Sequence, residues 1–289
     1  MFRQLKIAAI SFTPKKFDLA SNANRLERYF RMAAKRGAQL ALAPEAILDG
    51  YPVTDVQKGI IPAACMRDAA ITVRDPLIVR FKDLARRLNM CIAFGFAESV
   101  RQEIYNCTIF IDHRGRLRGK YHKMQLAEGH DPDQWYNRMG EHSRAFDTPF
   151  GRCGFMICND RWNADLARIA VLDGARYILI PSYGSKSAAQ DQAVVAIARQ
   201  NGVAVLEANV GLLLAVSKGE IVKRVKKNTA IMVTTIDIPA APSEKNRDVQ
   251  EKQFVAWRKT EMPKRYRRRL TDPGYACRTH RPAMQIGRT

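Results

Sequence analysis

Apolar residues recur along the chain with two different spacings between about residue 5 and residue 238. Short runs such as Leu5–Ile10 are mostly apolar, which is typical of buried β-strands. In Asn22–Lys35 the apolar residues, Leu26 and Phe30 among them, return every three or four positions, and Gly37 follows, which predicts an amphipathic helix. The repeated alternation of such strands and helices predicts an α/β sandwich.

The same spacings predict the remaining elements of the sandwich. A helix follows Asp75 and Pro76, which suit the cap and the first position of a helix. Two hairpins are predicted where Gly115 and Gly219 supply turn residues. The further predicted strands are Gln39–Ala43, Met90–Phe96, Tyr105–Ile111, Leu117–Tyr121, Gly154–Ile157, Tyr177–Ile180, Val203–Glu207, Gly211–Ser217, Glu220–Val225 and Ala230–Ile238, and the further helices are Ala164–Leu172 and one around Asp191–Arg199.

The segment Pro239–Ser243 interrupts this pattern and indicates the end of the domain. We therefore predict one domain at residues 1–240 and an extension at residues 241–289. Residues 244–289 carry 13 Lys and Arg against five Asp and Glu. Because charge runs are usually solvated, an extension that packs on the domain or on a partner subunit, or is partly disordered, is favoured over an anion-binding arm.

Charge and composition narrow the class of protein. A formal charge of +20 on 289 residues raises nucleic acid or an anionic surface as a partner, but the basic residues are scattered along the whole chain. No run approaches the roughly 20 apolar residues of a membrane-spanning helix. The N-terminus lacks a signal-peptide pattern, and the six cysteines include no CxxC pair. We therefore expect a cytoplasmic protein with free thiols and no membrane partner.

Three reactive residues each lie just beyond the end of a predicted strand, where open α/β sheets place their ligands. These residues are Glu45, Lys123 and Cys158. Taken singly, they suit a helix-capping acid, a solvated lysine and a small buried thiol. Taken together, they supply the base, the cation and the nucleophile that a cysteine acyl-transfer site requires. A helix that begins near Asn163 is expected to help lower the pKa of the thiol.

The segments around these residues resemble the motifs of the nitrilase-type carbon–nitrogen hydrolases. Pro44–Pro52 is similar to the segment of the family's catalytic glutamate, and Cys153–Trp162 is similar to its nucleophile segment. Tyr105, Asn106, Gly115 and the run Tyr121–Lys123 are similar to the segment of its lysine. Further matches follow in the family's order at Gly174-Ala175, Pro181-Ser182, Ala198–Asn201 and Ala208-Asn209.

The resemblance implies a catalytic triad of Glu45, Lys123 and Cys158 on a four-layer α-β-β-α sandwich. Glu45 would accept the thiol proton while Cys158 attacks the carbon of an amide, or less readily of a nitrile. Lys123 and the backbone N–H of Asn159 would hold the oxyanion, and water would hydrolyse the resulting thioester. The resemblance also implies a homodimer or a larger homo-oligomer, and no metal or organic cofactor.

The chain departs from the family pattern near the lysine. His122 and Gln125 stand where the family commonly has Arg and His, so we expect both to shape the mouth of the pocket. The family also has a second, substrate-supporting glutamate after the lysine. Glu128 and Asp133 are equal candidates for that role, whereas Glu141 lies past the degraded turn at Met139-Gly140.

The predicted function is hydrolysis of a non-peptide C–N bond in a small amide or carbamoyl amine. The run Cys158–Arg161 is similar to that of the branch that cleaves N-carbamoyl amino acids. Arg161 could therefore bind a substrate carboxylate, although a structural ion pair with Asp160 is somewhat favoured. One alternative is an amine acyltransferase that uses the same thioester. Another is a non-catalytic, basic nucleic-acid-binding protein that keeps the fold.

Overall fold

Two β-sheets form the centre of the computed structural model, which describes residues 3–62, 64–101, 103–127, 137–239 and 247–271. The first sheet has the order β13-β1-β2-β3-β4-β5, with β6 paired to β4, and the second has the order β12-β11-β10-β9-β8-β7. The strands are β1 Arg3–Ser11, β2 Leu40–Leu42, β3 Cys91–Val100, β4 Glu103–Ile111, β5 Leu117–His122, β6 Asn137–Arg138, β7 Phe146–Thr148, β8 Gly151–Phe155, β9 Tyr177–Ser182, β10 Ala204–Asn209, β11 Leu212–Ser217, β12 Glu220–Val225 and β13 Ala230–Ile238.

Helices cover the outer faces of both sheets. They are α1 Leu19–Lys35, α2 Val53–Gln57, α3 Ala64–Ala69, α4 Pro76–Leu88, α5 Ala164–Leu172, α6 Ala188–Asn201 and α7 Arg247–Thr271, together with a 3₁₀ helix at Cys158–Trp162. In β1, Leu5 and Ile7 face the second sheet, whereas Ala8 and Ile10 belong to the apolar cluster that includes α1 and α4. The alternation of side chains along a strand thus builds both layers of the core, and the predicted four-layer sandwich is confirmed.

Local capping explains where several helices begin. The side chain of Asp18 accepts a hydrogen bond from the Ser21 N–H, so α1 begins three residues before the predicted Asn22. Asp75 caps α4 in the predicted way, with its carboxylate 2.8 Å from the backbone nitrogen of Leu77. Ser187 caps α6, which therefore begins ahead of the predicted segment around Asp191. Each helix is set by a polar cap as well as by its apolar stripe.

The first part of α7 packs on the sandwich. Phe254 joins the core cluster, and the guanidinium of the buried Arg258 donates to the carbonyl of Met124 at 3.0 Å and to that of Gly140. Glu251 is also buried and accepts from the Ser143 N–H. These contacts hold part of the predicted basic extension against the domain. The predicted domain boundary at residue 240 lies outside the described residues. Among the described residues, no helix has both the length and the apolar character that a membrane span requires.

A glycine in β3 allows the segment after β2 to approach closely. The chain beyond β2 runs beside β3, where the backbone nitrogen of Ile47 lies 3.0 Å from the carbonyl oxygen of Gly95. A Cβ on Gly95 would lie 2.6 Å from the nitrogen of Ala46 and 2.8 Å from the Cα of Glu45. Any side chain at this position would therefore push Glu45 away from the sheet.

We expect Gly95→Ala to lower the free energy of unfolding by about 1–3 kcal/mol, the usual cost of overpacking. Urea denaturation followed by circular dichroism measures this change. Gly184→Ala is the control, because a Cβ there makes an ordinary contact of 3.5 Å with the Cys158 Sγ. Equal stability of the two variants would contradict the close approach at Gly95.

Candidate active site

The carboxylate of Glu45 is completely buried and receives hydrogen bonds from three elements. Its Oε1 accepts from the Nζ of Lys123, just beyond β5, at 2.8 Å and from the Nδ2 of Asn106 in β4 at 2.7 Å. Its Oε2 accepts from the backbone N–H of Tyr183, just beyond β9, at 2.9 Å. The Lys123 side chain is completely buried as well, so the two opposite charges compensate each other away from water.

Cys158 begins the 3₁₀ helix that follows β8 and has a left-handed backbone conformation, with φ of +47°. This conformation is costly for a residue with a Cβ and is often found at functional sites. The Sγ lies 4.0 Å from the carbonyl oxygen of Tyr183. Because the N–H of the same residue holds Glu45, the turn at Tyr183 places the thiol and the carboxylate beside each other.

Burial and, to a smaller extent, the negative charge of Glu45 raise the pKa of the Cys158 thiol to about 12, although Lys123 and Arg161 act in the opposite direction. The expected contribution of the neighbouring helix stays a prediction. Desolvation of a thiolate has the largest influence on the pKa at this position. A thiol with a pKa this high is neutral at rest, and it needs a base before it can act as a nucleophile.

Asp160 connects the turn that begins at Cys158 to the end of β5 and the segment that follows it. Its buried carboxylate accepts from the Tyr121 hydroxyl at 2.8 Å and from the backbone nitrogens of Gln125 and Ile157 at 2.7 and 2.9 Å. Burial raises the pKa of Asp160 to about 6, although these donors favour the ionised form. The carboxylate thus holds the Lys123 and Cys158 segments in register.

The predicted ion pair between Asp160 and Arg161 is wrong. The guanidinium of Arg161 instead lies 2.5 Å from the Oε1 of Glu207 and also donates to the Oγ of Ser182. Its Nε donates to the carbonyl of Cys158 at 2.7 Å. Both charged side chains are almost fully buried, at 2% and 0% exposed. Arg161 therefore stabilises the turn that begins at Cys158, and Glu207 compensates its charge.

The other residues that the sequence predicts to support the substrate are only partly described by the structure. The Asn159 side chain donates to the carbonyl oxygens of Gln125 and Leu126 at 3.3 and 3.2 Å, so it anchors the loop after β5. Glu128 and Asp133 lie outside the described residues, and the choice between them stays a prediction. Glu141 is exposed and lines a groove against α7.

The two departures from the family pattern occupy different surroundings. Gln125 is buried, and its Nε2 donates to the Asn159 carbonyl at 3.3 Å. It therefore also stabilises the turn that begins at Cys158. The imidazole of His122 lies 2.5 Å from a carboxylate oxygen of Glu98 and stacks on Tyr105. His122 thus packs against side chains of β3 and β4.

Two contacts of Glu45 were missed by the sequence analysis. Asn106 belongs to a matched motif, yet nothing in its residue type indicates that its amide would bind Glu45. The Tyr183 contact is made by the backbone N–H, which every residue other than proline has, so no sequence signal could have revealed it.

A comparison with known families shows to which family the chain belongs. The model of the family described as carbon–nitrogen hydrolase matches residues 6–241. The chain belongs to the carbon–nitrogen hydrolase family. The resemblance predicted from the three motifs is thereby confirmed.

Two named relatives and one solved structure are similar to this chain. The chain is 29% identical to N-carbamoylputrescine amidase of Solanum tuberosum over 62% of this chain and 59% of that protein. It is 28% identical to citrullinase of Francisella tularensis over 56% of each chain. It thus spans less than two thirds of either relative. An amidase from Nesterenkonia sp. AN1 has the same fold, with a TM-score of 0.69, 18% identity, and coverage of 86% of this chain and 96% of that chain.

We expect Arg161→Met to lower the free energy of unfolding by about 3–5 kcal/mol, because it leaves Glu207 buried without its cation. Urea denaturation measures the loss, and the double variant Arg161→Met/Glu207→Met is expected to recover most of it. If Arg161→Met instead kept its stability and raised KM for carboxylate-bearing substrates alone, Arg161 would be a substrate ligand.

Proposed function

We propose that the protein hydrolyses the C–N bond of a small amide or carbamoyl amine through a thioester on Cys158. The observation that carries the proposal is the buried pair of Glu45 and Lys123, whose ion pair measures 2.8 Å, beside a partly buried thiol. A structural core seldom retains a buried charge pair next to a cysteine in a left-handed conformation. These three groups match the needs of acyl transfer.

The thiol and the carboxylate divide the proton transfers between them. Since burial keeps Cys158 protonated, Glu45 takes the proton from Sγ as the sulfur attacks the substrate carbon. The negative charge that develops on the substrate oxygen is stabilised by Lys123 Nζ and by the Asn159 backbone N–H. Glu45 then returns the proton to the departing amine, and the C–N bond breaks to give the thioester.

Hydrolysis of the thioester completes the cycle. A water molecule, deprotonated by Glu45, attacks the acyl carbon, and the sulfur leaves and regains a proton. No metal or organic cofactor takes part in these steps. The substrate-supporting acid is proposed to be Glu128 or Asp133.

The charge arrangement narrows the class of substrate. Arg161 is committed to Glu207, so a carboxylate on the substrate would need another cation. This favours amides and carbamoyl amines, the class to which the name N-carbamoylputrescine amidase points, over N-carbamoyl amino acids bound through Arg161. The names of the two relatives do not favour the acyltransferase or nucleic-acid-binding alternatives.

We also propose that the protein is cytoplasmic and assembles as a homodimer or a larger homo-oligomer. The free thiols of the described cysteines support a reducing compartment; they are Cys65, Cys91, Cys107, Cys153 and Cys158.

An ammonia-release screen across small amides, carbamoyl amines and nitriles tests the proposal. We expect Cys158→Ala and Glu45→Gln to lower kcat/KM by at least about 10³-fold, because members of a catalytic unit act together. Cys153→Ala is the matched control, since this buried cysteine lies in β8, upstream of the turn, and should retain activity. Full ammonia release by Cys158→Ala would overturn the assignment of the nucleophile.

A further inference from the structure

Three side chains with metal-binding atoms converge on the first sheet, away from the contacts of Glu45. They are Glu98 in β3, Cys107 in β4 and His122 in β5, on three consecutive strands. One ligand atom from each lies within 4.8 Å of the other two. Glu98 and Cys107 are buried, whereas the His122 side chain is 20% exposed and gives the cluster an opening to solvent.

The strand pairing fixes this arrangement. Cys107 lies directly opposite His122 in the β4–β5 register. Glu98 lies opposite Tyr105, two residues before Cys107, so it reaches Cys107 diagonally across the β3–β4 pair. Directly opposed and diagonal residues on one face of a sheet are close enough for their side chains to meet. A site that is built on adjacent strands is also more rigid than one built on loops.

Neighbouring contacts orient the imidazole. The His122 ring stacks on Tyr105, with the centroids 4.1 Å apart and the planes at 15°. Its Nε2 lies 2.5 Å from the Oε2 of Glu98. The nitrogen thus points at the carboxylate, so these two atoms already face each other.

We propose that Glu98, Cys107 and His122 form a binding site for a divalent cation of the zinc class. One imidazole nitrogen, one thiolate and one carboxylate are ligands that Zn²⁺ and Co²⁺ accept in a tetrahedral site, with water in the fourth position. This inference is separate from the proposed hydrolysis, whose residues it does not use.

The charges and protons balance on binding. The Cys107 thiol releases one proton to solvent and forms a metal–sulfur bond. The proton that Nε2 donates to Glu98 in the metal-free site moves to Nδ1, so that Nε2 binds the metal as part of a neutral imidazole. One thiolate and one carboxylate then neutralise the divalent cation. Lys120, whose Nζ lies 2.9 Å from the other oxygen of Glu98, is 36% exposed and can turn toward solvent.

The distances require only side-chain adjustments. Metal–ligand bonds of about 2.0–2.3 Å place tetrahedral ligand atoms roughly 3.3–3.8 Å apart. The imidazole of His122 and the carboxylate of Glu98, 2.5 Å apart, must therefore separate slightly. The other pairs lie within 4.8 Å, so each needs to close by no more than about 1–1.5 Å.

The proposed metal site and the candidate active site share two strands. Cys107 follows Asn106, which binds Glu45, and His122 precedes Lys123. Because adjacent residues of a strand point to opposite faces, β4 and the end of β5 supply both sites from neighbouring positions. Occupation by a metal would therefore hold the strands that carry two of the partners of Glu45.

Titration of the full-length Cys158→Ala protein with Co²⁺ tests this proposal, after removal of bound metal with a chelator. The substitution eliminates metal binding by the proposed nucleophile. We expect visible bands of a four-coordinate cobalt ion together with a thiolate-to-cobalt charge-transfer band in the near ultraviolet. A further Cys107→Ser substitution should remove the charge-transfer band, whereas Cys91→Ser, at another buried cysteine of the first sheet, should leave it unchanged.

A His122→Gln substitution provides a second test that leaves the buried thiol in place. It should weaken cobalt binding by at least about tenfold, since loss of even a supporting group costs that much. The absence of a thiolate band in the Cys158→Ala protein would overturn the proposal, as would a band of unchanged intensity after Cys107→Ser in a folded protein. If Cys107→Ser does not fold, unchanged affinity in His122→Gln overturns it. These readouts do not depend on ammonia release, so failure here leaves the proposed hydrolysis intact.

Discussion

Burial of the Glu45 carboxylate is the constraint on which the rest of the site depends. An unpaired carboxylate in the interior would cost several kcal/mol or more, and it would take up a proton instead. Here Lys123 supplies the opposite charge, while Asn106 and the Tyr183 N–H complete the hydrogen bonds. These partners come from both sheets. The packing of one sheet on the other therefore determines whether the carboxylate stays ionised, as the proposed base must.

Cys158, the proposed nucleophile, depends on the same constraint. The Tyr183 backbone donates to Glu45 and lies beside the Cys158 sulfur, and the raised pKa of Cys158 keeps its proton in place at rest. A thiol of this kind becomes nucleophilic only when a base takes the proton during attack. Such a site avoids a permanently exposed thiolate, which is susceptible to oxidation. Asp160 and the Arg161–Glu207 pair then hold the turn that carries the sulfur.

Local patterns in the sequence predict many of the strands and helices and the three reactive residues. Strand alternation in β1 and the cap at Asp75 are local signals, and the four-layer fold and the family follow from ordered motifs. Partners that depend on tertiary packing could not be predicted in this way. Arg161 meets Glu207 across 46 residues of sequence.

Two other features could not be predicted from local sequence patterns. The packing of α7 on the sandwich depends on the hydrogen bonds that Arg258 donates to the carbonyls of Met124 and Gly140. The raised pKa of Cys158 depends mainly on burial. Both arise from long-range packing, which a single sequence does not encode in any short segment.

Mass spectrometry of the protein quenched in acid during turnover of an amide tests the central claim most directly. The account predicts one acyl group, of the mass of the substrate acyl portion, on the thiol of Cys158. Fragmentation of the peptide that contains both Cys153 and Cys158 distinguishes the two thiols. An acyl group on another residue, or ammonia release with no acylated enzyme and no effect of Cys158→Ala, would contradict the account.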